Sequence, residues 1–240
     1  KIHDLFKQDP NRVDAVSMQF NDLLVDYSKQ PINQETLDLL LALSRQKNLD
    51  EWIKRMFQGD KINSTENRAA LHCALRSKKT VMLDGEDITL KAKRVLKKMT
   101  LFSNAIRSGE YKGYTDQPIT DIVNIGIGGS DLGPRMAYKA LIPFHDGPSV
   151  HFISNIDGRS VEKRLERLNP ETTLLIITSK TFTTLETINN AAAAKKWLLS
   201  ALPANALADH MIAVTNATNK AVEFGMKAEH ILPLRDWIGG

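Results

Sequence analysis

The sequence predicts an α/β protein: an all-helical leading segment followed by a flavodoxin-like, five-stranded parallel sheet sandwiched by helices. Two observations carry that expectation. Up to Gly109 the apolar residues recur at spacings of three and four, the period of an amphipathic helix. From Asp121 onward, short apolar runs alternate with helical stretches, the pattern of a parallel sheet built from crossover units. The stretch Gly109–Pro118, with two glycines, a proline and two tyrosines, marks the change, so the expected domains are residues 1–110 and 111–240.

Taken in order, Val13, Val16, Phe20, Leu23, Leu24 and Tyr27 predict a first helix ending before Pro31. Leu37, Leu40 and Leu41 predict a second, and Trp52, Ile53, Met56 and Phe57 a third, stopped by Gly59. Ala70, Leu71, Ala74 and Leu75 predict a fourth, with Asn63 and Glu66 spaced as its cap and N3 residue. After a turn at Asp84-Gly85, the stripe from Ile88 to Ile106 reads as one long helix ending near Gly109. The strands expected beyond it are Ile122–Ile127, Val150–Ser154, Thr173–Thr178, Met211–Thr215 and His230–Pro233, with helices starting near Ser130, Gly158, Thr183 and Thr218.

Composition narrows the function classes. With 42% apolar and 25% charged residues, the 240-residue chain resembles an ordinary soluble protein, and no apolar run approaches the ~20 residues of a membrane span. A formal charge of +4 is modest, so nucleic acid is not the expected partner; the basic helix face of Lys91, Lys93, Arg94, Lys97 and Lys98 is read as solvated, with a nucleic-acid or subunit surface as the lesser reading. Cys73 is the only cysteine, which excludes an intrachain disulfide and points to a reducing, cytoplasmic compartment. The six histidines show no ligand spacing, so no metal and no cofactor are expected, and each histidine is read as structural. The chain starts on Lys1 rather than Met and stops on Gly239-Gly240 directly after Asp-Trp-Ile, and is expected to be part of a longer protein.

Two strand-to-helix junctions carry chemistry. Gly126, Gly128 and Gly129 follow the first strand and let the backbone approach a ligand, with Ser130 or Asp131 expected to cap the next helix. Ser179-Lys180-Thr181-Phe182-Thr183-Thr184 follows the third strand, with Phe182 expected as a core anchor that fixes the shape of a hydroxyl-rich loop. In the flavodoxin-like order these strands are neighbours at the switch point where ligands bind. Glycines on one side, hydroxyls and a lysine on the other, suit a phosphate dianion. The glycine cluster is not a Walker A loop, since no Gly-Lys-Ser/Thr closes it, and it is a poor dinucleotide fingerprint because Asp131 holds the third glycine position. Asp131 and Glu186 are the nearest carboxylates, but both fall in first turns of helices, where the dipole favours the charged form over that of a general base.

The stretch Gly126–Pro134, the loop Ser179–Thr184 and the terminal Asp236-Trp237-Ile238-Gly239-Gly240 together resemble the glucose-6-phosphate isomerase family, as do Glu66-Asn67-Arg68-Ala69 and Gly109–Tyr114. The resemblance implies a sugar-isomerase (SIS) fold and interconversion of glucose 6-phosphate and fructose 6-phosphate in glycolysis and gluconeogenesis, by a homodimer without cofactor. It implies a phosphate site of Ser179, Lys180, Thr181 and Thr184, with Gly129, Ser130 and Gly240 also at the substrate. Leu185 departs from the Gln common in animal members. The family's base Glu, ring-opening His and Lys, and enediolate-steadying Arg belong to sequence beyond these motifs, so no catalytic residue is expected within this chain. The alternative is a sugar-phosphate-sensing SIS module without chemistry, distinguished by whether Arg, an aromatic and Ser follow Gly240; a nucleotide-dependent dehydrogenase domain would instead bind NAD.

Overall fold

In the computed structural model residues 1–238 are described, and the chain divides into two units, Lys1–Ile62 and Asn63–Gly240. The first unit holds α1 (Ile2–Gln8), α2 (Arg12–Ala15), a hairpin of β1 (Ser17–Phe20) and β2 (Leu23–Asp26), then α3 (Gln34–Gln46) and α4 (Leu49–Gln58). Asn33 caps α3 by accepting from the Thr36 amide, and Gly59, at φ 89°, ends α4 as expected. The helix expected from Val13 to Tyr27 is not formed. Phe20 pairs with Leu23 across a two-residue turn in which Asn21 is left-handed, so these residues form two short paired strands instead. Buried Arg12 ties the hairpin down, donating from Nε to the Ser28 carbonyl (2.7 Å) and from Nη2 to that of Gln30 (2.8 Å). Leu40, Leu41, Trp52, Ile53 and Phe57 leave a substantial apolar surface exposed on this unit.

The second unit begins with a tight turn. Asn63 does accept from the Glu66 amide (3.2 Å), but this closes a loop through left-handed Asn67 rather than starting a helix. Residues 72–76 form a 3₁₀ turn in place of the fourth expected helix, because the amide of fully buried Leu71 is taken by the Trp237 carbonyl (2.9 Å). Trp237 packs there against Ala69, Leu71, Ala74 and Ile88. A short hairpin, β3 (Met82–Leu83) and β4 (Glu86–Asp87), turns at Asp84-Gly85 and leads into α5 (Ile88–Arg107), which Asp87 caps at the Leu90 amide. The leading segment is therefore mainly helical but carries two hairpins.

Beyond it run β5 (Asp121–Ile125), α6 (Gly129–Leu141), β6 (Ser149–Ile153), α7 (Gly158–Leu165), β7 (Thr173–Thr178), α8 (Leu185–Leu199), α9 (Leu207–His210), β8 (Met211–Thr215), α10 (Thr218–Phe224) and β9 (Ile231–Pro233). All neighbouring strand pairs in this sheet are parallel and the order is β6-β5-β7-β8-β9, the expected flavodoxin-like arrangement. Strand side chains alternate between two cores. Val123, Ile125, Leu175, Ile177, Met211 and Ala213 face α7 and α8, burying Val161, Leu165, Ala191, Ala194 and Leu198; Leu174 and Ile212 face Ile106 of α5 on the other side. His210 is fully buried and structural: its Nδ1 lies 2.8 Å from the Thr173 carbonyl and its Nε2 accepts from the Tyr114 amide (2.9 Å).

Candidate functional site at the switch point

Strand order reverses between β5 and β7, and Ile125 lies in register with Ile177, so the two junctions leave neighbouring strand ends side by side. After β5, two glycines are needed for different reasons. A Cβ on Gly126 would stand 2.8 Å from both Cβ and the carbonyl oxygen of Ser130, so only glycine lets the strand end approach the first turn of α6. Gly128, at φ 58° and ψ −124°, occupies backbone space that side chains disfavour. Gly129 has neither constraint, since a Cβ there would meet no protein atom within 4 Å. The N-cap of α6 is Gly128, not Ser130 or Asp131 as expected; the Ser130 amide instead donates to the Ile127 carbonyl (3.1 Å) and that of Asp131 to Gly128 (3.1 Å).

After β7, Phe182 is buried edge-on to Phe224 with centroids 5.7 Å apart, and its φ of 53° is left-handed. That anchor turns the hydroxyls around it into two pairs: Ser179 Oγ with Thr184 Oγ1 at 3.3 Å, and Thr181 Oγ1 with Thr183 Oγ1 at 2.7 Å. Ser179 is buried, Thr184 half-buried, Thr181 and Thr183 exposed. Thr184 is the N-cap residue of α8, so the loop ends at the positive end of a helix dipole. Lys180 does not reach freely over the loop. Its Nζ donates to the carbonyls of Ile238 (2.9 Å) and Asp236 (3.2 Å), and the Asn216 amide side chain also bonds the Asp236 carboxylate. Partial burial and then nearby Arg68 hold the Lys180 pKa below the usual lysine value, with Asp236 acting in the opposite direction.

Asn124 joins the two junctions, and sequence reasoning missed it. Its Nδ2 donates to the Ser130 carbonyl (3.1 Å), while its Oδ1 accepts from Thr178 Oγ1 (3.1 Å). One amide therefore spans from the helix start after β5 to the last residue of β7. The available signal was a lone asparagine inside the apolar run Ile122–Ile127. Asn124→Leu is expected to cost about 2 kcal/mol by stranding both partners, measured as a lower urea midpoint at unchanged m-value.

Among the carboxylates, buried Asp131 is engaged by Arg135, whose Nη2 lies 2.7 Å from Oδ1, and Arg135 also bonds Ser154 and lies over Phe152. Asp131 and Glu186 line an open cleft of about 340 Å³ beside Gly128, together with Ser154, Asn155 and Ile156. A larger, apolar cavity of about 640 Å³ lies away from the loops, between α5 and α6. Gly129, Ser130, Ser179, Thr181 and Thr184 are thus brought to adjacent strand ends and Lys180 is tied to the segment after β9, while Gly240 lies outside the described residues. No helix among the described residues is long and apolar enough to cross a membrane, and no group of three or more potential metal ligands occurs there.

A family model described as phosphoglucose isomerase matches residues 26–240. The chain belongs to that family. Two curated relatives, glucose-6-phosphate isomerase 1 of Chromobacterium violaceum (47% identical) and the glucose-6-phosphate isomerase of Chlorobium luteolum (49% identical), each match over 243 residues, covering 100% of this chain. The chain spans 44% of the length of each. Among solved structures, a glucose-6-phosphate isomerase from Chlamydia trachomatis superposes with a TM-score of 0.74 at 25% identity, covering 95% of this chain and 44% of that one. The five-stranded sheet is accordingly the SIS-like sheet of phosphoglucose isomerases.

Proposed function

We propose that this chain supplies the phosphate-holding part of an aldose–ketose isomerase site that takes glucose 6-phosphate and fructose 6-phosphate. The observation that carries this is the juxtaposition, across one switch point, of the glycine-bearing start of α6 with the hydroxyl loop before α8. In this reading Ser179, Thr181 and Thr184 donate to the phosphate oxygens, the helix dipole and Lys180 favour its charge, and Gly129 with Ser130 leaves room for the sugar. The open space around Gly129 supports that role, since no atom of the chain itself requires a glycine there.

Isomerisation needs a base to move a proton between C2 and C1. Asp131 is neutralised by Arg135 and Glu186 sits in the first turn of α8, which supports placing that base, and the groups that open the ring, outside residues 1–240. Gly240 is assigned to the same substrate site, and the whole protein is read as a cytoplasmic homodimer.

Two measurements test this. The purified 240-residue chain is expected to give no turnover in a coupled fructose 6-phosphate assay, and measurable turnover would refute the placement of the base. In the full-length protein, Thr181→Ala with Thr184→Ala is expected to raise KM for fructose 6-phosphate at least about tenfold, the loss of one or two charge-assisted hydrogen bonds, with a smaller change in kcat. An unchanged KM would remove the hydroxyl loop from the site.

A further inference from the structure

The second unit holds another concave basic surface, away from the hydroxyl loop. Between α5, the edge strand β9 and the start of α10 lies a cavity of about 440 Å³. Lys91, Arg94 and Lys98 reach it from α5, spaced three and four residues apart on one helix face, and Arg235 reaches it from beyond β9. Val95, Ile231 and Pro233 add apolar wall, and no carboxylate is among the lining residues.

The four cations are not equally engaged. Lys91 pairs with Glu86, and Lys98 donates one hydrogen bond to the Ile231 carbonyl (3.0 Å), which leaves each ammonium further donors. Arg94 and Arg235 make no ion pair among the described residues, and the buried Nε of Arg235 has no hydrogen-bond partner there. A buried guanidinium N–H without a partner is uncommon in a folded protein. Glu86 lies near both Lys91 and Arg235 but brings a single negative charge against four positive ones, so the cleft keeps a net positive field.

We propose that this cleft is a second anion site, distinct from the hydroxyl loop, and that it takes a small organic polyphosphate. Two planar guanidinium forks and two ammonium groups offer more charged donors than one phosphoryl group can accept, so at least two phosphoryl groups match the set. The apolar wall suits a ligand whose body is less polar than its phosphates. A nucleic acid is the weaker match, because the cations ring a cavity rather than track across a surface, and no aromatic side chain lines it for base stacking.

The test is titration calorimetry of the full-length protein with inorganic pyrophosphate, at fixed ionic strength. With fructose 6-phosphate present in excess to fill the hydroxyl loop, saturable pyrophosphate binding at one further site per chain is expected. Arg94→Gln, an exposed helix position that leaves the fold intact, and Arg235→Gln are each expected to weaken it at least about tenfold. Lys97→Gln, on the same helix but not lining the cleft, and Thr181→Ala in the hydroxyl loop are expected to leave it unchanged. Absence of saturable binding, affinity in both arginine variants equal to that of the parent protein, or loss on Thr181→Ala in their place would overturn the proposal. So would binding of single-stranded RNA that pyrophosphate fails to displace. Because the Thr181 variant reads the hydroxyl loop separately, failure of this site and failure of the sugar-phosphate reading give different results.

Discussion

Gly126→Ala in the full-length protein is expected to weaken fructose 6-phosphate binding at least about tenfold while the protein still folds. The added methyl would lie 2.8 Å from Cβ and the carbonyl oxygen of Ser130, and a backbone carbonyl cannot rotate away as a flexible side-chain end could. The first turn of α6 must shift instead, at a cost of about 1–3 kcal/mol for overpacking of this kind. That shift falls on the same carbonyl that accepts from Asn124, so the link to Thr178 is strained with it. Gly129→Ala is the informative companion. Its Cβ has open space and its φ is not left-handed, so the melting temperature should hold while affinity falls if a sugar phosphate approaches the backbone there. Wild-type affinity in Gly126→Ala, measured by calorimetry, would mean that the approach of β5 to α6 does not shape the site.

Trp237→Ala is expected to destabilise the second unit by about 3–5 kcal/mol, the usual range for removing a buried large aromatic. This is a large share of the ~5–15 kcal/mol that holds a domain folded. Trp237 fills the small core formed by Ala69, Leu71, Ala74 and Ile88, and its carbonyl takes the Leu71 amide, so the residues before α5 and after β9 depend on each other through one side chain. The flanking carbonyls of Asp236 and Ile238 are the acceptors of Lys180, so the variant should also loosen the lysine beside the hydroxyl loop. Urea unfolding of variant and parent gives the energy. A change below about 1 kcal/mol, the size of a typical surface effect, would show that Trp237 does not anchor the segment.

What could be read from the sequence was whatever depended on local pattern. Thr173–Thr178 and Met211–Thr215 are found at their expected bounds, because each is a β-branched or apolar run with turn or helix signals directly at both ends. The Val13–Tyr27 stretch failed because spacings of three and four also arise when two short strands meet at a turn. The cue there was Asn21-Asp22, whose residue types favour such turns. Residues 70–75 failed for another reason: the Trp237 carbonyl, far along the chain, takes an amide that a helix would have used. In the site, residue types at the strand ends marked both loops, and the expected anchoring role of Phe182 is met. Asn124 and the engagement of Lys180 depend on contacts between separate elements, and the lysine's acceptors are backbone carbonyls whose identity leaves no trace in residue type.

Left-handed Phe182 has a consequence for how quickly a ligand can be accepted. A non-glycine residue at φ 53° costs about 1–2 kcal/mol, and burying the ring against Phe224 offsets this, since a fully buried phenylalanine gains about 1.5–3 kcal/mol. The loop thus loses its conformational freedom when the chain folds, before any ligand arrives. If the anion of the proposed function meets Ser179, Thr181 and Thr184, it has little ordering left to impose, and its arrival is then governed by diffusion and the local field rather than by a slow closing of the loop.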